Sequence, residues 1–277
     1  VANNCTSNLL SQILTDPSSP TVSVPSNHIF CAGENTSAFT FQGTSGATFN
    51  WTNNNTNINL AASGTGNIGS FTTTNTTTNP ITATITVTPS LNGCIGSEQA
   101  FTITVNPIPS APIVKDTAYC VGETASMLTA TGNNLTWYDA AANGNTITNL
   151  IPSTASATTH EFWVTQTVNN CESPREKLTV AVNPIPSISL GSIIQPSTCA
   201  GTDGSIQITG LNASSAYTLT YKKDGNLQTA INVSSTATAT IPNLAASNYS
   251  EIKVVTNNCI SNLLSQTLTD PSSPTVI

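Results

Sequence analysis

Apolar and polar residues alternate one for one along much of this chain. In Ile81-Thr82-Ala83-Thr84-Ile85-Thr86-Val87-Thr88 every odd position is apolar and every even one is threonine. A period of two puts Ile81, Ala83, Ile85 and Val87 on one face, the signature of antiparallel strands with one side on a core and the other in water. The same pattern predicts strands at 38–41, 49–51, 80–89 and 100–105, at 127–132, 135–138, 161–168 and 177–182, and at 205–211, 217–222, 236–244, 249–255 and 262–268. Asp224-Gly225 between two of these reads as a hairpin turn, because glycine tolerates the positive φ that such turns require. No segment carries a 3.6-residue period, so the expected class is all-β.

Repeats and prolines divide the strands into modules. Residues 1–23 and 255–277 are identical at 19 of 23 positions, differing only at Ala2/Thr256, Thr6/Ile260, Ile13/Thr267 and Ser23/Ile277. They read as successive copies of one element, 254 residues apart from Cys5 to Cys259, in a longer tandem array. Asp16-Pro17-Ser18-Ser19-Pro20 is a linker, and the hexapeptide VNPIPS at 105–110 recurs at 182–187; prolines cannot continue a ladder of strand hydrogen bonds. The expected organisation is a tail of a preceding repeat with its linker at 1–19, sandwiches at 20–107, 108–184 and 185–273, and the start of the next repeat at 274–277. The three lengths, 88, 77 and 89 residues, together make one period.

Only 7% of residues are charged, against about 25% in ordinary soluble proteins. In their place stand 48 Thr and 32 Asn, which suit uncharged sheet faces and turns. Six Lys+Arg against 13 Asp+Glu give a net charge of −7, and so few cations exclude phosphate neutralisation as a source of nucleic-acid affinity. No run of 18 apolar residues is present to span a membrane. With no initiator Met or signal peptide, the chain is expected to be a mature fragment of something larger.

Seven cysteines with no CxxC pair and no Cys/His cluster point to disulfides in an oxidising compartment. Each module has one near its start and one near its end: Cys31 and Cys94, Cys120 and Cys171, Cys199 and Cys259. Pairing within modules uses six and leaves only Cys5, the copy of Cys259, unpaired; pairing between neighbouring modules leaves three over. The first is therefore expected, each bridge contributing about 4 kcal/mol in the chain-entropy model. An aromatic follows each first cysteine, Trp51, Trp137 and Tyr221, as a core ring does in immunoglobulin-like sandwiches.

Candidate chemistry is sparse. Gly64-Thr65-Gly66-Asn67-Ile68-Gly69 matches GxGxxG, yet SFTTTNTTTN follows where a dinucleotide site needs a helix, so it reads as a glycine-rich loop. His28 and His160 stand in different modules with no cluster of cysteines or acidic residues to make a metal or acid-base site. No GxSxG elbow supports a hydrolase. Asp203-Gly204 and Asp224-Gly225 are turns, or at most fragments of a weak calcium loop. No cofactor and no metal is expected. Trp163, beside Phe162 on one strand, is a candidate ligand platform or junction cover.

The first module, with WTNNNTNINLAASGTGNIGSFTTTNTTTNPITATITVTPSLNGCIG, resembles the PKD-like modules of giant surface proteins in gliding bacteria of the Bacteroidetes group. The second, with YCVGETASMLTATGNNLTWY and NNCESPREKLTVAVNPIP, resembles the Ig-like modules that accompany them. The third, with CAGTDGSIQITGL, IPNLAASNYSEIKVV and NNCISNLLS, is similar to the repeat named after the gliding adhesin SprB. The resemblance implies an extracellular cell-surface adhesin, exported by type IX secretion and carried along the cell by the gliding machinery. Asp116-Thr117-Ala118 resembles the O-glycosylation sequence of that group, with Thr117 as the modified residue. The expected role is a non-enzymatic stalk whose partners are adjacent repeats, with surface glycans or abiotic surfaces as targets. A glycan-binding sandwich and a self-assembling fibre or sheath subunit are the alternatives.

Overall fold

In the computed structural model, residues 18–234 and 236–271 are described. Among the described residues, strand pairing falls within three stretches of chain, 22–106, 113–183 and 189–268. Apart from strands, the described residues hold one short 3₁₀ turn, Thr56–Ile58, capped by the Asn55 side chain, which accepts from the Asn57 N–H. The chain is all-β, as the alternation requires.

The first stretch centres on Ile81–Leu91, which pairs with Thr48–Asn53 on one side and Gln99–Asn106 on the other. Ala83, Ile85 and Val87 are fully buried, while threonines line the opposite face, where the Thr82 and Thr104 hydroxyls meet at 2.9 Å. Phe39, Phe41, Trp51, Phe101 and Ile103 fill the core. Segment 38–41 forms only a single bridge at Phe39 instead of the expected strand. Gly64 explains itself by packing: a Cβ there would lie 2.2 Å from Cζ2 of Trp51.

The second stretch is a four-stranded sheet in the order Thr117–Cys120, Glu176–Asn183, Thr158–Thr165, Thr136–Tyr138. Trp137, Leu178, Val180 and Val182 are buried. The third is a sandwich proper. Ser189–Ile194, Gly204–Thr209 and Thr238–Leu244 form one sheet, and Ala216–Lys223 with Ser247–Thr256 leads the other. Ile206, Ile208, Leu219, Tyr249, Ile252 and Val254 are all at most 1% exposed between them. Asp224-Gly225 forms the expected turn, with φ of 46° and 81° joining Lys223 to Asn226.

Two features position the cysteines. The edge strand of the first stretch, His28–Cys31, runs parallel to Gln99–Asn106, with Cys31 opposite Asn106. Thr117–Cys120 runs parallel to Glu176–Asn183 in the same way, with Cys120 opposite Asn183. These edges depart from the otherwise antiparallel pairing. Packing divides the chain into two compact units, residues 1–112, 132–135 and 165–174 in one, and 113–131, 136–164 and 175–277 in the other. The hairpin at 165–174 thus packs with the first stretch. Its Gln166 amide donates to the Ser110 carbonyl at 2.7 Å, and the Asn106 amide donates to the Asn169 carbonyl at 3.1 Å.

Candidate functional site: the cysteine junctions

Three hairpins of one design carry the later cysteines. Each turns through two residues of positive φ, Asn92-Gly93, Asn169-Asn170 and Asn257-Asn258. Such a turn matches the twist of its flanking strands and selects asparagine and glycine. The cysteine is the first residue after the turn, paired across it as Leu91↔Cys94, Val168↔Cys171 and Thr256↔Cys259. Two residues on, the N–H of Gly96, Ser173 or Ser261 returns to the carbonyl of Pro89, Gln166 or Val254 at 2.9–3.0 Å. In the last two hairpins the serine hydroxyl also accepts from the Gln166 or Val254 N–H, at 3.0 Å each.

The earlier cysteines open a second recurrent motif, Cys31-Ala32-Gly33-Glu34 and Cys120-Val121-Gly122-Glu123. The glutamate folds back so that its carboxylate accepts the cysteine N–H, at 2.7 Å from Glu34 and 2.8 Å from Glu123. Ala32 N–H donates to the Asn106 carbonyl at 2.9 Å and Val121 N–H to that of Asn183 at 3.0 Å. Buried Thr73 holds the first turn, its hydroxyl 2.8 Å from the Cys31 carbonyl.

The structure joins Cys31 to Cys171 and Cys120 to Cys259, with Cα atoms 5.6 Å apart in both. Cys94 and Cys199 are free. Pairing within modules, as Cys31–Cys94, Cys120–Cys171 and Cys199–Cys259, is therefore corrected. The reason is strand direction. Cys31 lies beside Asn106 at one end of Gln99–Asn106, and the Cys94 hairpin lies before the other end. Seven residue steps of about 3.3 Å each separate those ends by ~23 Å, whereas a disulfide needs Cα atoms within about 7 Å. Cys120 and Cys171 stand in the same relation across Glu176–Asn183. Cys5, expected to be unpaired, lies outside the described residues.

The remaining candidates take structural places. Thr117 Oγ1 is buried and without a hydrogen-bond partner. His28 packs against Phe30 and Phe39, and His160 Nε2 lies 3.0 Å from the Ser153 carbonyl oxygen. Phe162 and Trp163 are both half-buried. Hydrogen bonds from the Ser197 side chain and N–H hold the Asp203 carboxyl below the usual range, and those from the Ser247 hydroxyl and the Asn248 N–H do the same for Asp224. Among the described residues no group of three or more His, Cys, Asp or Glu is placed to hold a metal ion, and no helix is long and apolar enough to cross a membrane.

Residues 109–184 match a family model described as an Ig-like domain, CHU_C associated. No curated protein matches the chain. Among solved structures, immunoglobulin domains 1–5 of Sidekick-1 align at a TM-score of 0.32 and 12% identity over 92% of this chain and 60% of that one. The chain thus spans 60% of that structure's length. The FN1–FN3 domains of chicken CNTN1 align at a TM-score of 0.34 and 11% identity, over 91% and 99% of the two chains. The chain is all-β, and the family match makes its 109–184 stretch an Ig-like domain.

Proposed function

We propose that the chain is a non-catalytic stalk segment of an extracellular tandem-repeat adhesin, and that it carries tension between a cell surface and what the cell attaches to. Its modules are 20–107, 108–184 and 185–273. The observation that supports this reading is the interleaving of the disulfides, since the 31–171 loop overlaps the 120–259 loop. Each bridge bypasses one VNPIPS linker, so the weakest points of a string of modules are doubled by a covalent bond. The oxidising compartment that disulfides require and the match of 109–184 to an Ig-like family favour an extracellular place. The resemblance to repeats of gliding adhesins supplies the finer reading, export by type IX secretion and a part in gliding, with adjacent repeats as the first partners and surface glycans or abiotic surfaces as targets.

Force applied between Cys31 and Cys259 has a defined shortest route. It crosses to Cys171, runs backward through the 51 residues to Cys120, and crosses again to Cys259. At ~3.3–3.6 Å per residue that is about 170–185 Å of chain, against roughly 750–820 Å for the 228 residues of the reduced protein. Single-molecule stretching of the oxidised and reduced chain tests the reading. A several-fold longer extension after reduction is expected, and equal extension in both states rejects a tension-bearing role.

A further inference from the structure

We propose that Cys199 of one copy of this repeat is disulfide-bonded to Cys94 of the copy that follows it. The inference rests on the tandem reading above and deepens it, because it makes the chain of bridges continuous from copy to copy.

The rule is visible in the two bonds already formed. In each, a cysteine opening a Cys-x-Gly turn in one stretch is bonded to a hairpin cysteine of the next. Cys199-Ala200-Gly201 repeats the Cys-x-Gly sequence, with the positive φ on Ala200 at 60° where the first two turns have it on Gly33 and Gly122. The backbone after the cysteine is tied two residues beyond its module's last strand, Ala200 N–H donating to Asp270 Oδ1 at 3.2 Å, where Ala32 and Val121 N–H donate to the carbonyls of Asn106 and Asn183. A carboxylate also lies at this turn, although Asp203 accepts the Ser197 N–H at 3.0 Å where Glu34 and Glu123 accept the N–H of the cysteine itself. Cys94 in turn occupies the same position after the same turn as Cys171 and Cys259. The bonded Cys31 and Cys120 are half-buried, so the contrast lies among the hairpin cysteines and at Cys199. Cys171 and Cys259 are 1% and 0% exposed, whereas Cys94 is half-buried and Cys199 is exposed.

Moved along by one 254-residue period, the rule gives every cysteine a partner. Cys199 takes the next copy's Cys94, Cys94 takes the preceding copy's Cys199, and Cys5, the counterpart of Cys259, takes the preceding copy's Cys120. Side chains at the contact agree. The Asn257 amide donates to Asn183 Oδ1 at 3.4 Å across the existing junction. The corresponding residues at the new one are Asn92 and Asp270, a donor and a carboxylate. The bond forms by exchange with a small-molecule disulfide. The Cys199 thiolate attacks it and releases one thiol; the Cys94 thiolate then attacks the mixed disulfide and releases the second. Two protein thiols are oxidised and one disulfide is reduced to two thiols.

The test is a chain of two copies fused in register at the duplicated stretch, residues 1–277 followed by 24–277, oxidised and digested without reduction. Mass analysis is expected to find Cys199 of the first copy linked to Cys94 of the second, beside Cys31–Cys171 and Cys120–Cys259 in each copy, with Cys5 and Cys94 of the first and Cys199 of the second alkylated. Junction thiols that alkylate, or that pair with any other cysteine, overturn the proposal. A second measurement uses single copies in a Cys5→Ser background. Cys94→Ser and Cys199→Ser chains, each monomeric alone, are expected to give at least tenfold more covalent dimer when mixed at millimolar concentration with oxidised glutathione. A mixture no more dimeric than either chain alone overturns the proposal as well. Failure here leaves the stretching of one copy untouched, so the stalk reading and the junction reading fail separately.

Discussion

Cys31 and Cys171 are bonded across 140 residues of chain, with Cα atoms 5.6 Å apart. The bond closes a loop that contains a whole linker, so it restrains the unfolded chain far more widely than a bridge inside one sandwich. The chain-entropy model gives about 5 kcal/mol for a loop of this length before native strain. Cys31→Ser with Cys171→Ser is expected to lower the thermal midpoint by at least 10 °C. Calorimetry of the double variant checks this, and an unchanged midpoint contradicts it.

The asparagine turns set the cysteine in place. Asn170 has φ of 62°, where a β-branched residue is strained by roughly 1–2 kcal/mol. Asn170→Gly is expected to oxidise as the parent does, whereas Asn170→Val forms Cys31–Cys171 more slowly. Time-resolved alkylation during refolding distinguishes the two, and equal rates for both variants go against a turn-directed junction.

Gly64 faces the indole of Trp51, where a Cβ would approach Cζ2 to 2.2 Å and Cε2 to 2.6 Å. Gly64→Ala forces one of them to move, and overpacking of this kind costs about 1–3 kcal/mol. A fall in the urea midpoint with tryptophan fluorescence shifted is expected, while a silent substitution means that the ring does not rest there.

Charge contributes at the extremes of pH. Hydrogen bonds from Ser247 and Asn248 lower the Asp224 pKa, and the hydrogen bond from Lys222 lowers that of Glu251. Groups with depressed folded values stabilise above their unfolded values, about 3.9 for Asp and 4.3 for Glu, and lose that contribution as pH falls through the folded ones. The hydrogen bond and charge of Glu161 raise Lys177, while burial raises Tyr221 and Tyr249. Their contributions are present below their unfolded values near 10 and are lost as pH rises toward the folded ones. Stability is therefore expected to be level from about pH 5 to 9 and to fall on both sides. Asp224→Asn is expected to flatten part of the acid limb, and an unaltered limb removes Asp224 from it.

Strand existence was readable because burial has only two faces to choose from. Ala83, Ile85 and Val87 are buried where the alternation puts them, and Asp224-Gly225 turns where its residue types require. Segment 38–41 alternates as well, yet it lies in the core by side-chain packing, with Phe39 making one bridge and no ladder. The disulfides were not readable from cysteine count. Three unpaired cysteines count against pairing between modules within one copy, but the proposed junction gives Cys5, Cys94 and Cys199 partners in neighbouring copies. The decisive fact was that Cys31 and Cys120 end strands running parallel to the last strand of their own sheets, far from the hairpin before it. Local alternation carries no information on that direction. A usable signal was present in the recurrence of Cys-Ala/Val-Gly at one end and Asn-Asn/Gly-Cys at the other, which marks two complementary halves of one junction.

The most direct measurement of the account is disulfide mapping of the oxidised single copy by mass analysis after digestion without reduction. Peptides joining Cys31 to Cys171 and Cys120 to Cys259, with Cys94 and Cys199 recovered as free thiols, are the predicted result. Peptides joining Cys31 to Cys94 and Cys120 to Cys171 would return each bridge to its own sandwich and contradict the covalent continuity on which the stalk rests.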